Sequence, residues 1–151
     1  DMLLWDGACH VHEKFSVEKI LELKKQYPDA VILVHPECKG PVAKLADKVA
    51  STAGLLKYAV ESDKKNFIVA TESGILYEMR KKCPDKNFIP APPEDSTCAC
   101  NECNFMRLNT LSKLYNTLKY EWPEVKVDGK IAEKAIKPIQ KMLDISARLG
   151  L

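Results

Sequence analysis

Cysteine and histidine residues occur in two dense patches of the sequence. The first patch places Cys9, His10 and His12 within four residues of one another. The second patch holds three cysteines at Cys-x-Cys-x-x-Cys spacing: Cys98, Cys100 and Cys103. Thiolates this close can chelate a soft metal, and soft ligands select zinc, copper(I) or iron–sulfur clusters. We therefore expect the two patches to meet in space around a metal centre.

The spacing does not identify the metal by itself. A mixed set of cysteine and histidine ligands would suit zinc, whereas thiolates alone would suit an iron–sulfur cluster. The plainer alternative is that the late cysteines are ordinary loop residues. Cys38 and Cys83 stand alone in the sequence, and both are expected to be small buried residues without a chemical role.

A second group of candidate residues follows a predicted strand. Residues 30–34 form a continuous, largely β-branched apolar run, which is typical of a strand buried on both faces of a parallel sheet. His35 and Glu37 come directly after it, at the end where open α/β sheets bind ligands. Such a pair could perform general acid–base chemistry near neutral pH. His12 and His35 could equally be hydrogen-bonded structural histidines.

Ser51 and Thr52 precede a predicted helix. Their hydroxyl groups are typical of helix caps, and hydroxyls and backbone amides at a helix start can also bind carboxylate or phosphate. Both interpretations stay open at this stage. No glycine-rich phosphate loop follows any predicted strand, which disfavours a nucleotide-binding domain.

The elements that would position these residues alternate between strands and helices. Strands are predicted at residues 30–34, 67–70 and 87–90, with an earlier strand tail at 2–5; helices are predicted at 17–27, 40–49, 54–62 and 75–83. Prolines at 90, 92 and 93 indicate a linker. Beyond it, helices are predicted over 111–118 and from Asp128 to about Leu149, divided at Pro138. This order predicts a three-layer α/β/α domain with a short parallel sheet and a helical C-terminal tail.

The bulk composition sets limits on the class of protein. The 151 residues are 46% apolar and 29% charged, with a net charge of +2, as in a soluble globular protein. So small a charge gives no reason to expect nucleic-acid binding, and no apolar run reaches the roughly 20 residues that a membrane span needs. Six cysteines without a secretory signal favour metal or redox use over disulfides. We expect a cytoplasmic protein, and the start at Asp1 indicates a piece of a longer chain.

Five short motifs occur in the order found in one enzyme family. They are GACHVH at residues 7–12, VHPE at 34–37, AST at 50–52, VATESG at 69–74 and CNECNFM at 100–106. In this set, and in the helical end around residues 136–139, the chain resembles the C-terminal half of quinolinate synthase. The resemblance implies an enzyme that condenses iminoaspartate with dihydroxyacetone phosphate to give quinolinate, the pyridine precursor of NAD.

The resemblance also implies a cofactor and a larger architecture. Quinolinate synthases consist of three similar α/β domains, related by pseudo-threefold symmetry, around a [4Fe–4S] cluster held by three cysteines, with one iron open to substrate. By motif match, Cys9 and Cys103 are two of these ligands. By the same match, Cys98 and Cys100 correspond to extra cysteines of some family members, and we expect them to form a redox pair. The third ligand is expected from an N-terminal half that this chain lacks, so the chain alone is expected to be inactive.

The same match implies roles for the other candidates. Glu37 resembles the family's acid–base carboxylate, and His12 and His35 resemble groups that hold and polarise the substrates. Ser51 and Thr52 resemble a binding site for phosphate or carboxylate. Residues 1–8 would end a preceding α/β domain, 9–96 would form an α/β domain, and 97–151 would carry the cysteine loop and helices that pack on the missing N-terminal domain. The competing hypothesis is a non-catalytic zinc-binding α/β module.

Overall fold

The computed structural model describes residues 6–95 and 101–150. These residues form two compact units, which divide between Leu108 and Asn109. The predicted strand tail at residues 2–5 and the predicted redox pair Cys98 and Cys100 lie outside the described residues. The division into segments 1–8, 9–96 and 97–151 stays a prediction.

The first unit is built around a parallel sheet of four strands. They are β1 (Val31–Val34), β2 (Lys48–Val49), β3 (Asn66–Ala70) and β4 (Asn87–Pro90), in the spatial order β2-β1-β3-β4. Ile32 of β1 pairs with Ile68 of β3, which in turn pairs with Ile89 of β4. The three strands predicted from apolar runs are confirmed, and the parallel α/β fold with them.

The helix predicted from Gly40 to about Val49 is wrong in its second half. Helix α2 covers only Gly40–Ala43, and the chain then joins the edge of the sheet as β2. Asp47 explains the change, because its carboxylate accepts a hydrogen bond from the N–H of Ile32 at 2.8 Å while its own N–H donates to the Ile32 carbonyl at 3.0 Å. Pairing with β1 thus overrides the local helical pattern.

Helices cover both faces of the sheet. Helices α1 (Val17–Gln26) and α2 lie on one face, and α3 (Thr52–Glu61) and α4 (Ile75–Lys82) lie on the other. Successive residues of β1 point to opposite faces, so that Ile32 and Val34 join one buried cluster while Val31 and Leu33 join the other. The α1 cluster includes Val11, Phe15, Ile20, Cys38, Val42 and Ala70; the α3–α4 cluster includes Leu55, Phe67, Met79, Cys83 and Phe88.

The topology creates a crevice at one place on the sheet. The helix that follows β1 lies on one face, whereas the helix that follows β3 lies on the opposite face. β1 and β3 are neighbouring strands, so the two segments that leave their carboxyl ends diverge towards opposite faces of the sheet. Such a switch point is where open α/β sheets bind ligands. His35 follows β1 there, and Thr71 follows β3.

The second unit contains two helices. Helix α5 (Leu111–Tyr120) is capped by Thr110, and α6 (Gly129–Leu149) is capped by Asp128. The predicted division at Pro138 is wrong, because α6 continues through it. The proline removes only one backbone hydrogen bond, and the rest of the 21-residue helix continues on both sides of it. The helices expose large apolar side chains: Leu111, Leu114, Leu118, Ile131, Ile136, Ile139, Met142 and Leu143. No helix in the described part of the chain has the length and apolarity to cross a bilayer.

Candidate active site

The loop that carries Cys9 and His12 folds back onto the sheet. The N–H of Glu13 donates to the Cys9 carbonyl at 3.1 Å, and a single 3-10 turn follows over His12–Lys14. Val11 and the next residue after the turn, Phe15, are buried in the α1 cluster. Phe15 also bridges to Pro93, just beyond the end of β4. Apolar burial on both sides of His12 therefore fixes its side chain beside the strand ends.

His12 makes three close contacts across the switch point. Its Nε2 atom lies 2.9 Å from the Thr71 hydroxyl, and its Nδ1 atom lies 3.1 Å from Oε2 of Glu37. Its ring stacks on that of His35, with ring centroids 4.4 Å apart and planes 17° from parallel. The structure thus brings His12 together with two predicted site residues, His35 and Glu37, that are distant from it in the sequence.

The electrostatic surroundings favour a neutral His12. The residue is only 7% exposed, and this burial, together with the adjacent His35, lowers the pKa of His12; Glu37 acts in the opposite direction. Nε2 is held by Thr71, whereas Nδ1 makes no aligned hydrogen bond despite its closeness to Glu37. One buried imidazole nitrogen is therefore left facing the Glu37 side of the site.

A tight turn after β1 places His35 and Glu37. The N–H of His35 continues the sheet by donating to the Ala70 carbonyl at 3.1 Å, and the N–H of Cys38 donates back to the His35 carbonyl at 3.0 Å. The N–H of Glu37 donates to Nδ1 of His35 at 3.3 Å. Nδ1 is then the acceptor, so neutral His35 carries its proton on Nε2. The Glu37 side chain is 57% exposed.

Cys9 lies at the mouth of this arrangement. A pocket of ≈ 550 Å³ is lined by Gly7, Ala8, Cys9 and Glu37. One donor atom each of Cys9, His12 and Glu37 lies within 4.8 Å of the other two. The pocket is therefore bordered by a thiol and a carboxylate, and the imidazole of His12 lies beside both of them.

The second cysteine patch reaches the same end of the sheet. Cys103 and Cys9 both pack against the α1 cluster, and the ring of His10 meets that of Phe105 edge-on at 5.5 Å. Asn101 binds the strand ends, because its carbonyl accepts from the N–H of Ser73 at 2.7 Å and its side-chain amide donates to the Ala91 carbonyl at 2.6 Å. The described parts of the two patches therefore do meet, and Cys9 and Cys103 are both free thiols there.

Ser51 and Thr52 lie at the start of α3, next to the carboxyl end of β2. The Ser51 hydroxyl accepts a hydrogen bond from the N–H of Gly54 at 3.3 Å, which makes Ser51 the N-cap. Both residues are exposed. The capping interpretation is confirmed for Ser51, and the predicted substrate contact stays a prediction.

Two residues of the site were given no role by sequence reasoning. Thr71 is 4% exposed and holds Nε2 of His12, while Glu72 accepts a hydrogen bond from the N–H of Cys103 at 3.3 Å. The sequence could have indicated both residues, because they follow β3 directly and polar residues at the carboxyl end of such a strand face the crevice.

The two cysteines that stand alone in the sequence, Cys38 and Cys83, are buried as predicted. Burial raises the pKa of the Cys38 thiol to about 11.

Comparison with known proteins agrees with the motif resemblance. The model of the family described as "NadA: Quinolinate synthetase A protein" matches residues 1–144. A quinolinate synthase of Chloroherpeton thalassium is 52% identical over 146 residues, which cover 97% of this chain and 45% of the relative. One from a Synechococcus species is 50% identical over 147 residues, covering 97% and 46%. The chain spans about half the length of the curated relatives it matches. It belongs to the quinolinate synthase family and corresponds to the C-terminal half of that family's chain.

Proposed function

We propose that the chain is the C-terminal half of a cytoplasmic quinolinate synthase, which condenses iminoaspartate with dihydroxyacetone phosphate in de novo NAD biosynthesis. The observation that carries this proposal is the meeting of His12, His35 and Glu37 beside Cys9 at the switch point. Both substrates are anionic and rich in oxygen atoms. A site with two imidazoles, a carboxylate and a soft metal ligand suits their binding and proton transfer.

The donor set fits the family's [4Fe–4S] cluster. Cys9 and Cys103 are free, partly buried and packed against the same apolar cluster, and iron–sulfur clusters are held by thiolates. When bound, a cluster with one open iron supplies a Lewis acid to substrate oxygens. The third thiolate is proposed to come from the N-terminal half of the enzyme, which also completes the cavity.

The protein side chains supply binding and proton transfer. His12 is held in place by Thr71 and His35, so that its neutral ring can orient a substrate hydroxyl or carboxylate. Glu37 is exposed to the pocket and is proposed to accept and return the protons that move during dehydration and tautomerisation. Ser51 and Thr52 are proposed to bind phosphate or carboxylate, since they lie at the start of α3 and the N-terminus of a helix attracts anions.

Co-expression tests this proposal. The chain is expressed anaerobically with the N-terminal half of the Chloroherpeton thalassium relative, and quinolinate formed from the two substrates is measured. We expect the complex to show the broad visible absorption of an iron–sulfur cluster and to make quinolinate. Cys9→Ser and Cys103→Ser should remove both properties. Glu37→Gln should retain the absorption and lower turnover by at least about 100-fold, the contribution typical of a general acid–base group.

Cys83→Ser is the matched control, because Cys83 is a free thiol buried in the α3–α4 cluster, away from the strand ends. It should retain both absorption and activity. A cluster-loaded complex that makes no quinolinate would refute the proposed activity. A colourless complex whose zinc is lost in both Cys9→Ser and Cys103→Ser would instead favour the non-catalytic zinc-binding module. Turnover by the isolated chain would refute the requirement for an N-terminal half.

A further inference from the structure

Cys9, His12 and Glu37 form a group of ligands of their own, separate from Cys103. Their donor atoms lie within 4.8 Å of one another, and one pair, His12 Nδ1 and Glu37 Oε2, is 3.1 Å apart. In a tetrahedral zinc site, metal–ligand bonds of 2.0–2.3 Å put neighbouring donor atoms about 3.5 Å apart. Closing the group around one ion therefore needs a shift of roughly 1 Å, which the half-buried Cys9 loop can supply.

The orientation of His12 is a second, independent observation. Its side chain is more than nine-tenths buried, and Nδ1 has no aligned hydrogen-bond partner within the described residues. Buried polar atoms without partners are uncommon and call for a specific explanation. The opposite nitrogen lies 2.9 Å from the Thr71 hydroxyl. Metal-binding histidines show this arrangement, in which a second group fixes the ring through the other nitrogen.

The simplest alternative is that the carboxylate lies beside the cysteine by chance, because exposed acidic groups are common on protein surfaces without any bound metal ion. Glu37 alone would fit that explanation, because its side chain is 57% exposed. It does not account for Nδ1 of the buried His12, which lies 3.1 Å from this carboxylate and still makes no aligned hydrogen bond. The neighbouring Cys38 does not complete the set, since its thiol is directed to the Ala70 carbonyl at 3.4 Å.

We propose that, without an iron–sulfur cluster, Cys9, His12 and Glu37 bind one divalent cation of the zinc class and leave a fourth position open. A thiolate, an imidazole and a carboxylate are all zinc ligands, and an open fourth position is the usual state of non-structural zinc sites. The cation and the cluster exclude each other, because both need the Cys9 thiolate. Zinc bound here also engages Nδ1 of His12 and the carboxylate of Glu37, which lines the pocket.

Cobalt(II) titration of the isolated chain under anaerobic, reducing conditions tests the site. Cobalt(II) replaces zinc and reports its ligands by colour: thiolate coordination gives an intense near-ultraviolet charge-transfer band, and tetrahedral geometry gives strong visible bands. We expect one cobalt ion per chain, with both signals, displaced by zinc. Cys9→Ser should abolish the charge-transfer band. Glu37→Gln should weaken binding at least about tenfold, and Thr71→Val should weaken it about 10–100-fold, as loss of an outer partner does.

Cys83→Ser is the matched control, since it removes a free thiol that is buried in the α3–α4 cluster, on the other face of the sheet from the Cys9 loop. It should leave the cobalt affinity and spectrum unchanged. Absence of the charge-transfer band in the unaltered chain would overturn the proposal. Equal loss of binding in Cys83→Ser, or full binding in Glu37→Gln, would overturn it as well. Circular dichroism verifies the fold of each variant, and none of these results depends on quinolinate formation.

Discussion

The carboxylate of Glu72 accepts a hydrogen bond from the backbone N–H of Cys103 at 3.3 Å. Its other oxygen accepts from the N–H of Gly74 at 2.7 Å, an approach that a side chain at position 74 would obstruct. Arg107 adds a longer ionic contact of 3.8 Å to the same carboxylate. The Glu72 side chain is 15% exposed. A residue at the end of β3 thus holds a proposed cluster ligand in place through its backbone.

Loss of this carboxylate should loosen the segment around Cys103. In Glu72→Ala, we expect faster hydrogen exchange at the Cys103 amide and a loss of about 1–3 kcal/mol in unfolding free energy, because two N–H groups lose their acceptor. Exchange is measured by mass spectrometry of peptides that contain Cys103. Glu78→Ala, at an exposed position of α4, is the control and should change neither quantity. Unaltered exchange at Cys103 in Glu72→Ala would contradict this prediction.

The Cys38 thiol should react more slowly with alkylating reagents than the thiols of Cys9 and Cys103. Burial raises its pKa from 9.0 to about 11, which lowers the reactive thiolate fraction near pH 8 by about 100-fold. We expect iodoacetamide to modify Cys38 at least about 100-fold more slowly than a free cysteine, and after the partly exposed Cys9 and Cys103. A time course of alkylation, read by peptide mass spectrometry, measures all three rates. Modification of Cys38 as fast as Cys9 would show that the turn after β1 opens readily.

Acid should destabilise the fold through His12. Burial and His35 lower the pKa of His12 in the folded state below its ordinary value of 6.5, so the unfolded chain binds this proton more readily. The unfolding free energy then falls as the pH drops from 6.5 towards the folded pKa, and the effect is absent above 6.5. Denaturant unfolding between about pH 5 and 8 measures this dependence. His12→Asn should make the dependence shallower, and an unchanged slope in that variant would contradict the assignment.

Ser51 should contribute to stability independently of substrate. Because its hydroxyl caps α3, Ser51→Ala should lower the unfolding free energy by about 0.5–2 kcal/mol. Ser51→Asp should keep the stability, since aspartate caps equally well. In the co-expressed complex, the same substitution should raise the KM for dihydroxyacetone phosphate, because a carboxylate repels the phosphate. An unchanged KM in Ser51→Asp would leave Ser51 with the capping role alone.

Much of the fold could be predicted because its elements follow from local patterns. The apolar runs that became β1, β3 and β4 are buried on both faces, and such runs fit few environments other than a central parallel strand. The exceptions depend on distant residues. The two residues of β2 are exposed and have no strand pattern of their own, so that only pairing with β1 makes them a strand. Pro138 has the local signature of a helix start, yet α6 continues through it.

The candidate site divides in the same way. Residue types and motif order were sufficient to select Cys9, His12, His35, Glu37 and Cys103, because thiols, imidazoles and carboxylates have characteristic chemistry wherever they occur. The contacts between them could not be read from the chain. That Thr71 orients His12, that Glu72 holds Cys103, and that Nδ1 of His12 is left without an aligned partner depend on the divergence of the chain after β1 and β3. A short motif specifies which groups are present, whereas the packing of helices on opposite faces of the sheet decides which of their atoms meet.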